Sequence, residues 1–210
     1  MPRKSHVIRR QQATFTKPAI DLAVKLNLPL NQFVTITFDK TASSPEVVGK
    51  QFAKIREYYG KWARRPRKGA GPAFAPTHIW VVENTAVVAV HWLVHVPKKR
   101  QRDFKKRLDL WISNATEQEP LPGAAQCKTA YRPYGARKYM LKGIDPAVAD
   151  LYRIRHIPQG MVVGKRLGFS KNLGPSQCRL HGTKKPWRRP GYTTHDGWKF
   201  SSIGRSNIRF

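Results

Sequence analysis

Four side chains have the types and spacing needed for chemistry at a phosphate. His91 lies in the run Val90-His-Trp-Leu-Val-His-Val-Pro97, Glu83 ends the apolar run before it, and Tyr139 and Lys142 lie three apart further on. Imidazole and carboxylate are ligand types for a divalent cation, which polarises a phosphate and neutralises the charge that develops on its oxygens. A phenol can act as a nucleophile, and a lysine beside it can hold the phosphate or favour the phenolate by its charge. Tyr139 and Lys142 share a face if their segment is helical. Tyr131 and Tyr134 are rival phenols, but neither precedes a lysine by three. His95 has the strand parity of His91, yet four residues of extended chain span roughly 13 Å, too far for one ion. His78, on the preceding strand, is a candidate to complete a ligand set. Each residue also has a plain structural reading: half-buried imidazoles satisfied by neighbours, a strand-end acid paired with lysines, a ring packed on a sheet.

The elements that must position these groups follow from periodicity. Residues 18–28 form an amphipathic stretch, read as a short helix. Phe33-Val-Thr-Ile-Thr-Phe38 is rich in β-branched and aromatic residues and predicts a strand. Ser43-Ser-Pro-Glu46 reads as a helix start, and Val48, Phe52, Ile55 and Tyr59 make one apolar stripe after it. Residues 77–83 and 87–96 predict two strands joined as a hairpin, the second ended by Pro97. Residues 98–114 predict a helix with Phe104, Leu108, Trp111 and Ile112 on one face and lysine and arginine on the other. There is room for a strand before Tyr131, and residues 131–142 read as helical in their second half. The order β-α-β-β-α predicts an α+β fold of the split-βαβ (ferredoxin-like) kind, an antiparallel sheet with helices on one face. The expected divisions are a basic arm over residues 1–32, a folded domain over 33–145 and a basic Gly/Pro-rich extension over 146–210. In that extension a short strand near 161–163 is expected to lead into an extended tail, with Trp187, Tyr192, Trp198 and Phe200 set among basic residues for stacking or docking.

Charge points to the partner. Lysine and arginine total 40 against 12 acids in 210 residues, a formal net charge of +28. Self-repulsion on that scale opposes compaction unless a polyanion is bound, so DNA or RNA is the expected ligand. A membrane surface is the competing polyanion, but no apolar run approaches the roughly 20 residues of a spanning helix. The basic start Met-Pro-Arg-Lys-Ser-His lacks the apolar stretch of a signal peptide. Cys127 and Cys178 are the two cysteines, far apart, which excludes a zinc ribbon and fits a reducing compartment. A soluble, cytoplasmic protein is the expectation. The expected phosphate contacts are Lys98, Lys99, Arg100, Arg102, Lys105 and Lys106 on the basic helix, Arg137 and Lys138 beside Tyr139, and Lys165 and Arg166 in the extension.

Three segments, Phe33–Phe38, Val90–Pro97 and Ala136-Arg-Lys-Tyr-Met-Leu-Lys-Gly143, resemble in order and spacing the three motifs of HUH endonucleases, the rolling-circle replication initiators and relaxases. The resemblance covers residues 33–145 and is nearest to short Rep-like proteins of bacterial plasmids and phages. It implies a DNA-binding protein, with single-stranded DNA at its active site, that nicks through Tyr139 to leave a 5′-phosphotyrosyl enzyme and a free 3′-hydroxyl. Mg²⁺ or Mn²⁺ would be held by His91 and Glu83, with Lys142 on the phosphate. The family's second motif is His-hydrophobic-His, and its first histidine falls where this chain has Ala89. That departure leaves a second expectation open: a nucleic-acid-binding protein without catalysis, on a decayed version of this fold or associated with the ribosome.

Overall fold

The computed structural model describes residues 3–41, 43–69 and 71–183. In chain order these form β1 (Lys4–Ser5), α1 (Arg10–Thr14), α2 (Thr16–Lys25), β2 (Gln32–Thr37), α3 (Val48–Ala63), β3 (His78–Asn84) and β4 (Val88–Val94). There follow α4 (Gln101–Thr116), β5 (Ala125–Thr129), α5 (Pro133–Met140), α6 (Pro146–Ala149), β6 (Val162–Val163), β7 (Leu167–Phe169) and α7 (Pro175–Leu180). The main sheet is antiparallel throughout, with strand order β5-β2-β4-β3-β7. Its first four members are the split-βαβ arrangement that the element order predicted, and the α+β class stands.

Both crossover helices pack on one face. The α3 stripe of Val48, Phe52, Ile55 and Tyr59 and the α4 stripe of Phe104, Leu108, Trp111 and Ile112 bury against Val34, Ile36, Trp80, Val82, Val90 and Trp92. Alternate residues of the same strands, Ile79, Val81 and Leu93, face a second core built from Ile20 and Leu22 of α2, Met140 of α5, Leu141, Ile144, Tyr152 and Leu173. β4 is buried at every position, and β3 at all but its last. That is why both strands read as unbroken apolar runs rather than alternating ones.

The second core revises three expectations. Helices cover both faces of the sheet rather than one, because α2 and α5 pack on the side away from α3 and α4. Residues 3–32 are not an arm outside the folded domain, because α1 and α2 fold onto the sheet. The short strand expected near 161–163 is β6, which pairs with β1, but residues 164–183 do not run on as an extended tail: β7 extends the sheet beyond β3, and α7 packs near α2. Gly168 makes the β7 pairing fit, since it faces Trp80 across the ladder and a Cβ there would run into the indole. Trp187, Tyr192, Trp198 and Phe200 lie outside the described residues. Among the described residues, no helix is long and apolar enough to cross a membrane.

Candidate active site

Strand register determines which side chains meet. In the ladders Thr35 and Val81 flank His91, and Glu83 stands opposite Ala89. All five share one parity, so all belong to the face that α2 and α5 cover. His91 is held from three sides. Its Nδ1 shares a hydrogen bond with Thr35 Oγ1 at 3.1 Å. Its ring stacks on Phe33, with centroids 5.6 Å apart and planes 10° from parallel. Its Nε2 lies 2.9 Å from Glu83 Oε1, close but out of line for a ring N–H hydrogen bond.

Helix α5 brings the phenol. Pro133 sits in its first turn, where a missing N–H costs nothing. Met140 and the following Leu141 anchor its end in the second core. Tyr139, half-buried, then stands over β2 and β4, its ring edge-on to His91 at 5.0 Å and to Phe33 at 6.1 Å. The chain leaves the helix in a tight turn in which the Lys142 amide donates to the Tyr139 carbonyl at 3.2 Å. Lys142 therefore keeps the face predicted for it. Its Nζ is 2.9 Å from Glu83 Oε2 and 4.2 Å from the centre of the Tyr139 ring.

Tyr139, His91, Glu83 and Lys142 thus form one cluster, with side-chain exposures of 4% for His91, 11% for Glu83 and 17% for Lys142. Burial alone would raise the Glu83 carboxyl, but His91 and Lys142 outweigh it and hold the group below the usual carboxylate range. For Lys142, burial would lower the ammonium, while hydrogen bonding with Glu83 and Tyr139 raises it. Arg166 adds a further positive charge close enough for Glu83 to oppose the lowering that burial imposes on it.

No family model, curated protein or solved structure matches this chain. The site is read from its own geometry.

The donor set can be tested against Mg²⁺ or Mn²⁺. Glu83 Oε1 and His91 Nε2 are adjacent and chemically suitable, but the third position on this face is Ala89, which has no donor. Among the described residues, no three His, Cys, Asp or Glu side chains gather as they would around one ion. The second oxygen of Glu83 already faces the Lys142 ammonium, and Arg166 lies nearby. A divalent cation would enter a pocket whose single carboxylate is neutralised by lysine, so the residues fit it poorly.

Other candidates separate from the cluster. His78 has the parity of Trp80 and faces the first core among Tyr59 and Trp92, on the opposite side of the sheet from His91. Burial pushes its pKa down to about 3. His95 sits beyond the end of β4, its Nδ1 bonded to the Pro29 carbonyl at 2.8 Å and its ring against Phe74. Tyr131 is exposed, and Tyr134 donates its hydroxyl to Asp21 at 2.5 Å, a bond that raises its pKa to about 12.

The expected phosphate contacts also divide. Lys98, Lys99, Arg102, Lys105 and Lys106 are exposed around the start of α4, on the opposite face of the sheet from Tyr139. Lys138 and Lys165 are exposed as well. Arg100 and Arg166 are corrections, each only 1% exposed. Arg100 donates to the carbonyls of Trp62 and Ala63 at the end of α3 and stacks on the Trp62 ring. Arg166 donates to the carbonyls of Ser5, Val82, Gln159 and Gly160, tying both terminal segments to β3. Arg137 is half-buried, with Nε donating to Thr16 Oγ1 at 2.7 Å. The sequence reading missed Phe33 and Thr35 as supports for His91. Their alternation was visible, but which face they share with His91 depends on register.

Proposed function

We propose that this chain is a nucleic-acid-binding protein that nicks single-stranded DNA through Tyr139. The reading rests on one observation: the phenol of α5, the imidazole of β4, the Glu83 carboxylate and the Lys142 ammonium converge on one face of the sheet. Phe33 and Thr35 fix His91, so the cluster is held before any substrate arrives. In the nick, the Tyr139 oxygen bonds to phosphorus as the bond from phosphorus to the 3′ oxygen breaks. Net, the phenolic proton ends on that 3′ oxygen, giving a 5′-phosphotyrosyl link and a free 3′-hydroxyl. Lys142 supplies positive charge beside the phosphate, and Arg166 adds positive charge behind Glu83. No step is assigned to a metal.

A second reading is favoured by Ala89 and by the closure of Glu83 on Lys142. It is a nucleic-acid-binding protein on this fold that does no chemistry, as a ribosome-associated protein would be.

The two readings differ in a covalent product. The full chain is incubated with randomised single-stranded DNA labelled at the 3′ end, and in parallel with RNA, with and without Mn²⁺. The nicking reading expects a denaturant-resistant labelled adduct with DNA that is lost in Tyr139→Phe and falls about 100-fold in Lys142→Met. Tight binding without adduct, or an adduct that survives Tyr139→Phe, overturns it. Ala89→His places a donor between Glu83 and His91, and this variant is expected to gain Mn²⁺ binding and a Mn²⁺-dependent adduct yield.

A further inference from the structure

The opposite face of the sheet carries a cavity of about 480 Å³ between α3, β3 and residues 161–165. Its volume is in the range of small-ligand sites. Phe52, Trp80, Val82, Val88 and Phe169 give it apolar walls, and Arg56 projects from α3 into the same lining. Lys50 and Lys165 are exposed at its rim, together with one acid, Glu46.

Arg56 makes the cavity a site rather than a packing gap. Its guanidinium carbon lies 4.9 Å from the centre of the Trp80 ring and 5.2 Å from that of Phe52. Its Nε is buried without a hydrogen-bond partner, and burial lowers its pKa. The Nε atoms of Arg100 and Arg166 are also unmet, but the guanidinium groups of the other arginines that are not exposed all have partners. Arg67 and Arg107 meet Asp103, Arg137 meets Thr16, and Arg100 and Arg166 meet backbone carbonyls. Among the described residues, Arg56 alone of this group has neither a hydrogen bond nor an ion pair. The Trp80 indole Nε1, also buried, has no acceptor either.

A half-buried guanidinium with open N–H groups is costly until an anion meets it, and its fork matches phosphate oxygens two at a time. Aromatic and branched walls beside it suit a flat, weakly polar body. We infer that this cavity binds a nucleoside 5′-monophosphate unit, either free or as one nucleotide of a strand, with Arg56 as the main partner of its phosphate. The inference does not depend on the Tyr139 reading, because the cavity and the tyrosine cluster lie on opposite faces.

Two variants test it without relying on one perturbation. Arg56→Met removes the phosphate partner and leaves no buried charge. Gly49→Leu fills the cavity from α3, where a Cβ meets only the Val163 carbonyl at 3.9 Å. It also replaces a helical glycine with a better helix former. The full chain is titrated calorimetrically with dAMP, deoxyadenosine, inorganic phosphate and a short oligodeoxyadenylate, and thermal unfolding checks each fold. Saturable dAMP binding, stronger than for deoxyadenosine or phosphate and weakened at least about tenfold in both variants, supports a free nucleotide. The same loss seen with the oligonucleotide alone supports a nucleotide within a strand. If neither variant weakens either nucleotide probe, or phosphate binds as tightly as dAMP, the proposal fails.

Discussion

Removing Lys142 should destabilise the protein more than removing Lys142 and Glu83 together. The pair is 2.9 Å apart, with 17% and 11% of the two side chains exposed. At that distance and an effective dielectric of about 20, the attraction is roughly 6 kcal/mol, most of it offset by the loss of hydration. Lys142→Met leaves a buried carboxylate facing His91, with Arg166 as its remaining strong cation, and should cost about 3 kcal/mol. Glu83→Gln leaves an unpaired ammonium nearer solvent and should cost about 2 kcal/mol. The double variant, which buries no unpaired charge, should lose less than the sum by about 3 kcal/mol, leaving it about 2 kcal/mol less stable than the parent and more stable than Lys142→Met. Equilibrium urea unfolding at neutral pH measures all four proteins. Acid titration supplies a second readout. Because the folded Glu83 carboxyl sits below its unfolded value, its contribution is complete above about pH 4.5 and is lost as pH falls through the lowered value. In Lys142→Met that acid-side loss should shrink. Additivity within about 0.5 kcal/mol, with an unchanged acid limb, would refute the coupling.

Three further outcomes are expected. Arg166→Met removes the guanidinium shared by four buried or part-buried carbonyls, of which Gln159 O keeps the Asn84 amide, and should cost about 3 kcal/mol in urea unfolding. His78 is buried neutral with its pKa lowered to about 3, so the unfolded chain binds the extra proton and stability falls as pH drops from about 6.5. His78→Phe should remove on the order of 3 kcal/mol of the loss measured at pH 4. Replacing Lys98, Lys99, Arg102, Lys105 and Lys106 with glutamine should reduce the slope of log affinity against log salt for single-stranded DNA by about 0.7 per residue in contact. The same change at buried Arg100 should leave the slope unchanged and lower the melting temperature.

Local pattern carried the split-βαβ core, because each of its elements has a periodicity of its own. The α3 and α4 stripes and the β2 run are strong signals, and the element order restricts the sheet to few topologies. Tyr139 and Lys142 were also legible, since three-residue spacing survives the turn that ends α5. What the pattern hid depended on distant contacts. The three residues of β7 carry no strand signal, and the strand exists because Gly168 lets it close on Trp80. Composition marked Arg100 and Arg166 as phosphate contacts, yet both serve backbone carbonyls, a role that a count of basic residues does not distinguish. His78 and His91 both looked like ligand candidates, and only cross-strand register places them on opposite faces.

Digestion of the cross-linked product followed by tandem mass spectrometry bears most directly on the tyrosine cluster. The peptide that contains Tyr139 should carry a 5′-phosphorylated nucleotide remnant on its phenol oxygen, with a free 3′-hydroxyl on the released strand. A remnant on any other residue, or intact DNA recovered from a tight complex, would contradict the account.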